Sequence, residues 1–265
     1  MSYEKPTLAI FGSTGVCASQ ALALALRDGY TVTALVRTPE RLRKLLSETH
    51  SIDSSLVDRN LIIVQGNVKT IADMKKTLVI NNRMVDLIVC GIGGAPQFQM
   101  NLKTPFTLDD PQICESAIKT LLEAIKELSA DRSITGTKKP AITVISTTGL
   151  SKTRDVPLVL YPLYYWTLTV LHIDKKIMED LVIDAASANE ISNFTIVRPT
   201  LLTKGRAKGL DNVKQEWELL NGEKGDGPGP TMGYSISRSD VGTWIFEKAI
   251  KEIQVWGDRC VSLAY

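Results

Sequence analysis

The chain has 265 residues, of which 44% are hydrophobic and 23% charged, and its formal net charge at pH 7 is +2. This charge is too small to indicate a nucleic-acid partner, and no basic stripe is interleaved with aromatic residues. The 2 histidines and 4 cysteines lack zinc-site or C-x-x-C spacing, which argues against a metal centre or a disulfide framework and favours a reducing, cytoplasmic location. The first residues enter an apolar segment directly, without a signal-peptide core.

An apolar strand, a glycine-rich turn and a helix open the chain. The run Leu8–Phe11 is apolar throughout, as in a strand buried on both faces of a parallel sheet. The turn has the spacing G-x-x-G-x-x-A, and its glycines leave room for a ligand at the helix N-terminus, where backbone N–H groups attract phosphate. This pattern predicts a pyrophosphate site, with an ordinary tight turn as the alternative. Its residues are Gly12, Ser13, Thr14, Gly15 and Val16.

A second apolar strand, predicted over residues 30–36, ends on Arg37. Chains that bind NAD usually carry an acidic residue here, which hydrogen-bonds the adenosine ribose. A carboxylate would repel the 2′-phosphate of NADP(H), whereas a guanidinium would pair with it. Arg37 therefore indicates NADP(H), and the alternative is a solvated arginine at the start of the polar segment 37–44.

Strands and helices continue to alternate, which predicts an α/β fold with a doubly wound parallel sheet in one domain spanning residues 1–265. Two stretches are predicted to be irregular: a loop over residues 97–110, and a Gly- and Lys-rich stretch at 204–230 with a short helix near 213–220. The further predicted strands are 60–66, 84–90, 141–145, 194–197 and 260–263, and the further predicted helices are 70–78, 111–128 and 237–250, with a long helix through 172–179.

The carboxyl ends of parallel strands meet at one edge of the sheet, where such folds bind ligands. We therefore expect the residues that follow the strands to line one crevice, although a glycine-rich strand end is equally typical of a flexible loop. Beyond the opening turn and Arg37, these residues are Asn67, Val68, Gly91, Ile92, Gly93, Ser146, Thr147, Arg198 and Pro199.

Residues 156–173 form an apolar segment with no formal charge unless His172 is protonated. Its length approaches that of a membrane span, but its prolines, tyrosines and threonines fit a lipid-facing helix poorly. We expect a buried or pocket-lining segment, with residues 157–166 forming a wall for a bulky, flat substrate and membrane contact as the minor alternative.

These motifs together make the chain resemble an atypical short-chain dehydrogenase of the NmrA-like group, similar also to flavin and biliverdin reductases. The resemblance implies a Rossmann fold with NADP(H) across it and substrate-binding elements mainly in residues 151–192 and 200–236. It places the pyrophosphate on the opening turn, the 2′-phosphate at Arg37 and the adenine near Asn67, where relatives often carry Asp. The residues that carry it are Ile10–Gly15, Leu35–Arg37, Gly66–Val68, Ile145–Gly149, Lys176, Val197–Pro199 and Ser237–Gly242.

The resemblance also implies a catalytic Ser and a Tyr-x-x-x-Lys motif, but His172 stands four residues before Lys176. Lys176 is either a contact of the nicotinamide ribose or a solvated lysine beside Lys175, and Ser146 and Pro199 are expected near the cofactor. His172 is either the proton donor or a helix histidine that bonds a neighbouring carbonyl. Tyr165, in a cluster with Tyr161 and Tyr164, is another candidate donor, and the alternative for this cluster is a pocket wall or core. Thr147 orients the substrate or caps the strand end.

Two classes of function follow. The first is an NADP(H)-dependent reductase of a bulky hydrophobic molecule, and the resemblance to NmrA-like proteins implies more specifically a fungal secondary-metabolite tailoring enzyme. Such an enzyme would reduce C=N or C=O and could couple the redox step to cyclisation, for example a Diels–Alder step in indole alkaloid biosynthesis. The second is a non-catalytic NADP(H)-binding redox sensor. The expected partner is a small molecule, without nucleic acid or stable membrane insertion, and the oligomeric state stays open.

Overall fold

The computed structural model describes residues 5–94, 96–98, 106–135, 138–162, 168–219 and 227–265. The first part of the chain contains β1 (Leu8–Phe11), α1 (Val16–Arg27), β2 (Val32–Val36), α2 (Pro39–Lys44), α3 (Ser54–Asn60), β3 (Leu61–Gln65), α4 (Ile71–Leu78), β4 (Val79–Ile80), β5 (Arg83–Met84), β6 (Leu87–Cys90), β7 (Pro96–Phe98), β8 (Phe106–Leu108) and α5 (Ile113–Ala130). The second part contains β9 (Ala141–Ile145), α6 (Thr169–Ser187), β10 (Phe194–Pro199), β11 (Leu201–Thr203), β12 (Lys214–Leu219), β13 (Ser235–Ser237), α7 (Arg238–Trp244), α8 (Ile253–Trp256) and β14 (Arg259–Ala264).

Eight of the described strands form the main sheet, in the order β12-β14-β10-β9-β6-β1-β2-β3. All neighbours in it are parallel except β12, which runs antiparallel to β14 at one edge. The chain moves outward from β1 through β2 to β3 and then crosses back to β6 on the other side of β1. This change of direction is the topological switch point of a doubly wound Rossmann-type sheet, and it confirms the predicted fold class.

Helices cover both faces of the sheet, which is why its central strands are apolar on both sides. Helix α1 packs against α7, and α5 lies between α4 and α6. The buried side chains form two clusters, one beneath α1 and α7 and the other beneath α4, α5 and α6. Because helices occupy both faces, a ligand has access to the carboxyl edge of the strands.

One predicted element is wrong. Residues 213–220 were expected to contain a short helix, but Lys214–Leu219 form strand β12. This strand pairs antiparallel with β14, with Lys214 opposite Ala264 at one end and Leu219 opposite Arg259 at the other. Local propensity is weak here, and backbone pairing with the sheet edge overrides it. The predicted loop at 97–110 also contains structure, because β7 and β8 pair as a short antiparallel ladder.

The apolar segment 156–173 is not one continuous element in the part that the structure describes. Val156 is buried, a 3₁₀ turn follows at Leu158–Leu160, and α6 begins at Thr169. Leu158 and Val159 are exposed, so the segment is not buried at these two residues. Leu158 does line a surface depression, as the expectation of a pocket-lining segment allows, whereas Val159 does not. Tyr164, Tyr165 and Trp166 lie outside the described residues, so the prediction for Tyr165 stays a prediction. None of the described helices is both long and apolar enough to cross a bilayer.

Candidate cofactor and substrate site

A groove of about 630 Å³ lies at the carboxyl ends of β1, β2, β3 and β6, a volume within the usual range for small-molecule sites. It brings together most of the residues that the sequence placed around the cofactor. Val16, Ser146, Pro199 and Lys176 are not part of its lining. The predicted residues that line it are Gly12, Ser13, Thr14, Gly15, Arg37, Asn67, Val68, Gly91, Ile92 and Gly93.

The opening turn needs glycine for two separate reasons. Gly12 has φ +74°, in the left-handed region, and a Cβ there would lie 2.7 Å from the carbonyl carbon and oxygen of Gly91. A Cβ on Gly91 would lie 2.9 Å from the Cβ of Ala18. The first turn, the loop after β6 and helix α1 therefore approach one another at backbone distance, which explains the small residues at these positions.

The start of α1 and the hydroxyl of Ser13 form a polar floor. Gly15 is the N-cap, and its carbonyl accepts a hydrogen bond from the Ser19 amide at 2.8 Å. Within the described part of the chain, the buried Ser13 Oγ and Ser146 Oγ have no hydrogen-bond partner. Burying an unsatisfied polar group costs roughly 1–3 kcal/mol, so these hydroxyls suit a ligand with hydrogen-bonding oxygens. The Ser13 hydroxyl and the helix N-terminus thus fit a pyrophosphate.

Two arginines line the groove beyond β2. Arg37 follows the strand and Arg41 lies in α2, and both are exposed. Neither makes an ion pair with any carboxylate of the described residues. The sequence analysis missed Arg41; the available signal was its position in the helix that begins just after Arg37.

The turn after β3 forms the opposite wall of the groove. The Asn67 amide donates to Asp73 Oδ2 at 2.9 Å, and Asn67 Oδ1 accepts from the Lys69 amide at 3.0 Å. Lys69 Nζ reaches Asp110 Oδ2 at 2.5 Å, and this hydrogen bond lowers the pKa of the Asp110 carboxyl. The side-chain oxygen of Asn67 therefore stabilises its own turn, and its backbone N–H is bonded to Asp73. The side-chain NH₂ is the group of Asn67 that can donate to a ligand.

A buried lysine connects the groove to the neighbouring strand. Lys175 in α6 is 6% exposed, and its Nζ donates to the carbonyl oxygens of Ile92 at 2.9 Å and Ile145 at 2.7 Å. The adjacent Asp174 accepts from the amides of Cys114 and Glu115 at the start of α5, at 3.0 and 2.9 Å. These contacts hold the ammonium group of Lys175 at the switch-point edge of the sheet.

Lys176, the lysine singled out from the sequence, points elsewhere. It is exposed and pairs with Asp180 one helical turn later. Adjacent helix positions face about 100° apart, so only one of the two lysines can face the sheet. Spacing from His172 singled out Lys176, whereas packing selects Lys175 for the place beside the groove. A ribose contact by Lys176 stays a prediction that its position does not favour.

His172 lies in a second, mainly apolar cavity of about 310 Å³, which is also lined by Gly149, Leu150, Thr169, Ile173, Lys176 and Ile177. Burial lowers the pKa of His172, opposed by the Asp155 carboxylate and by a hydrogen bond with the Thr148 backbone. The Thr148 amide donates to the Pro199 carbonyl at 3.1 Å, and the Gly149 amide donates to Asp155 Oδ2 at 2.7 Å. His172 is therefore held as a neutral imidazole near pH 7, beside the end of β9 that carries half-buried Thr147.

Arg198 does not line the crevice, contrary to the expectation from its place after the predicted strand 194–197; it lies inside β10. It is buried, and its Nε and Nη2 donate to Glu179 at 3.0 and 2.7 Å. Its Nη1 donates to Glu218 at 2.9 Å and to Ser151 Oγ at 3.1 Å. Burial, the largest single influence, lowers the pKa of this guanidinium, but the hydrogen bonds to Glu179 and the negative charges of Glu179 and Glu218 together outweigh it, and the net shift is upward. The arginine joins α6, β10, β12 and the loop after β9, so its role is to anchor these elements.

The switch-point groove, the glycine turn and the fitting of a pyrophosphate define a nicotinamide-dinucleotide-binding protein of the Rossmann class. A family model described as NAD(P)H-binding matches residues 12–251. The chain belongs to this NAD(P)H-binding family.

Relatives and solved structures agree with this assignment. The chain is 43% identical to "Reductase pytE" of Aspergillus terreus, over 95% of this chain and 94% of the relative. It is 31% identical to "Oxidase pynE" of Aspergillus niger, over 93% of this chain and 94% of the relative. Its fold is similar to that of ChuY, an anaerobillin reductase from Escherichia coli O157:H7, with TM-score 0.61 and 15% identity over 97% of this chain and 96% of that one. These findings confirm the recognised family and support an NAD(P)H-dependent oxidoreductase.

Proposed function

We propose that the chain is an NADP(H)-dependent oxidoreductase that acts on a bulky, apolar small molecule in fungal secondary metabolism. The observation that carries this proposal is Lys175, whose ammonium group bonds Ile92 at the groove and Ile145 at the end of β9. A dinucleotide that starts at the opening turn would direct its nicotinamide end toward this lysine. The apolar cavity around His172 borders the same strand end and would receive the substrate.

NADP(H) is favoured over NAD(H) by the two arginines of the groove. Arg37 and Arg41 offer two guanidinium groups where an NAD-binding site would place a carboxylate. Ser13 Oγ and the amides at the start of α1 would bind the pyrophosphate. When bound, the cofactor supplies or accepts a hydride at its nicotinamide ring.

The ammonium group of Lys175 has three protons, and two of them are donated to the carbonyls of Ile92 and Ile145. The third proton would hydrogen-bond the nicotinamide ribose. Thr147 would hydrogen-bond a polar group of the substrate. His172 is neutral near pH 7, so it accepts a proton more readily than it donates one. This favours substrates whose reduction needs a hydride and little proton delivery, such as a C=N iminium group, or the reverse oxidation with His172 as the base.

The finer proposal is that the redox step is coupled to a cyclisation, such as a Diels–Alder step in indole alkaloid biosynthesis. Its support is the apolar lining of the 310 Å³ cavity, which would hold a flexible apolar substrate in a folded, reactive shape. The names "reductase" and "oxidase" of the two Aspergillus relatives agree with redox chemistry in either direction.

The test combines binding and turnover. Calorimetry should detect tight binding of NADPH and much weaker binding of NADH. NADPH oxidation should then be measured with iminium, quinone, ketone and flavin acceptors, and at least one bulky apolar acceptor should be reduced. Cofactor binding without oxidation by any acceptor, with equal affinity for NADP⁺ and NADPH and a protein partner in a pull-down, would instead identify a redox sensor.

A further inference from the structure

The 3₁₀ turn Leu158–Leu160 and the tyrosine that follows it leave neighbouring apolar side chains in solvent. Val159 is 81% exposed and Leu158 67%, and Tyr161 on the same turn is 41% exposed. Isolated exposed apolar residues such as Ile62 and Val255 are ordinary on a protein surface. Neighbouring ones on a single protruding turn indicate a contact with an apolar partner. We propose that this turn docks the protein peripherally on an anionic lipid bilayer.

The charges around the turn select a bilayer with negative headgroups. Across residues 150–173 the formal charges are those of Lys152, Arg154 and Asp155, apart from His172. Lys152 and Arg154 are exposed, whereas Asp155 is buried and accepts from the Gly149 amide at 2.7 Å. The turn thus presents two positive charges to solvent and no negative one.

The two basic residues and the turn share one surface depression. This depression has a volume of about 380 Å³ and is lined by the exposed Lys152 and Arg154, by the buried Asp155 carboxylate, and by Ser151, Thr153, Val156, Leu158 and Tyr161. Its net charge is therefore +1, with both positive groups in solvent and the one negative group buried. Basic groups and hydroxyls are the partners that lipid phosphates prefer, and Tyr is enriched at membrane interfaces. An apolar turn beside such a depression can insert into the headgroup boundary while the basic side chains bind phosphates.

A bilayer suits this surface better than a folded protein partner does. A stable protein interface buries about 1,000 Å² or more with complementary shape, which a single short turn does not provide. A bilayer needs only a few apolar side chains and some positive charge, because it adapts its shape to the protein. Such docking is peripheral and requires no membrane-spanning helix.

Co-sedimentation with lipid vesicles tests the proposal. The full chain should bind vesicles of phosphatidylcholine with about one third phosphatidylserine, bind pure phosphatidylcholine much more weakly, and dissociate as salt is raised. Lys152→Glu combined with Arg154→Glu should weaken binding at least about tenfold. The matched control is Lys76→Glu with Lys126→Glu, two exposed basic residues far from the turn in sequence.

Leu158→Ser with Val159→Ser should also abolish sedimentation, whereas Ile62→Ser with Val255→Ser should not. A direct readout uses Val159→Cys labelled with a polarity-sensitive fluorophore, because the four native cysteines are buried. Its emission should shift to the blue on vesicles, and that of a labelled Val255→Cys should not. No sedimentation, equal binding to both lipid mixtures, or equal loss in the control variants would overturn the proposal. The proposal would also be overturned if the wild-type chain formed a dimer that Leu158→Ser with Val159→Ser dissociates, while neither protein bound vesicles.

Discussion

The cofactor groove and the substrate side of this protein are built in different ways. The groove is lined mainly by three short continuous stretches, at residues 12–15, 66–69 and 91–94. Its shape depends on the close approach of the backbone at Gly12 to the backbone at Gly91. The elements that border the substrate side, α6 and β10, are held by buried charged side chains that reach distant parts of the chain: Lys175 bonds the Ile92 carbonyl, and Arg198 pairs with Glu218. Phosphate recognition is therefore visible as a local motif, whereas the positions of the chemical groups follow from packing.

The largest expected effect tests the backbone construction of the groove. Gly12→Ala should weaken NADPH binding at least about a hundredfold, because its Cβ would meet the Gly91 carbonyl at 2.7 Å. Gly29→Ala is the matched control, since Gly29 has a similar φ of +77° but no atom within 4 Å of an added Cβ. Gly29→Ala should lose about 1–2 kcal/mol of unfolding free energy from the left-handed backbone. Gly12→Ala should lose more, because its Cβ also meets the Gly91 carbonyl.

Calorimetry and urea unfolding of both variants measure these effects. Wild-type affinity in Gly12→Ala would show that the pyrophosphate does not lie on this turn.

The second prediction separates the two adjacent lysines. Lys175→Met should lower the free energy of unfolding by roughly 1–3 kcal/mol, because the carbonyls of Ile92 and Ile145 lose their donor. It should also lower kcat with the best acceptor. Lys176→Met removes only an exposed ion pair with Asp180 and should cost less than about 0.5 kcal/mol.

Steady-state kinetics and chemical denaturation compare the two variants. Because Lys176 also lines the His172 cavity, NADPH affinity and not turnover identifies the ribose contact. If Lys176→Met weakened NADPH binding while Lys175→Met did not, the contact would belong to Lys176.

The third prediction concerns cofactor choice at the two groove arginines. If both arginines bind the 2′-phosphate as proposed, Arg37→Ala and Arg41→Ala should each raise the NADPH dissociation constant about 10- to 100-fold, because each would remove a charge-assisted bond. The NADH dissociation constant should stay within about twofold, because NADH lacks that phosphate. Arg59→Ala in α3 is the control for a lost surface charge. An unchanged NADPH-to-NADH ratio in the Arg37 variant would disprove the assignment of the 2′-phosphate to this residue.

The smallest effect is a pH dependence of stability. Burial lowers the pKa of both His50 and His172 below the ordinary value of 6.5. As pH falls below about 6.5, the unfolded chain takes up protons that the folded chain does not, so the free energy of unfolding decreases. The slope should not exceed about 1.4 kcal/mol per pH unit for each histidine.

Urea unfolding between pH 7.5 and 5 measures this slope above the range in which carboxylates titrate. His50→Gln and His172→Gln should each make the curve flatter. A free energy of unfolding that rises toward pH 5 would show that the folded chain binds protons more tightly, which reverses the direction of both pKa shifts.

The sequence by itself determined the doubly wound fold, the family and most of the groove. Continuous apolar strands and turn positions that only glycine can occupy are local requirements, so they can be recognised from the sequence without coordinates. It did not identify Arg41, because a helix residue next to a predicted phosphate contact carries no motif of its own.

Tertiary structure alone decided which lysine faces the sheet, that Arg198 is an anchor, that β12 is a strand and that Leu158 and Val159 are exposed. Each of these depends on contacts between residues far apart in the chain. Neighbouring helix positions differ in direction by about 100°, and an edge strand forms only because a partner strand is there to bond it. Local sequence cannot encode such outcomes, because the energy that settles them comes from the packed fold.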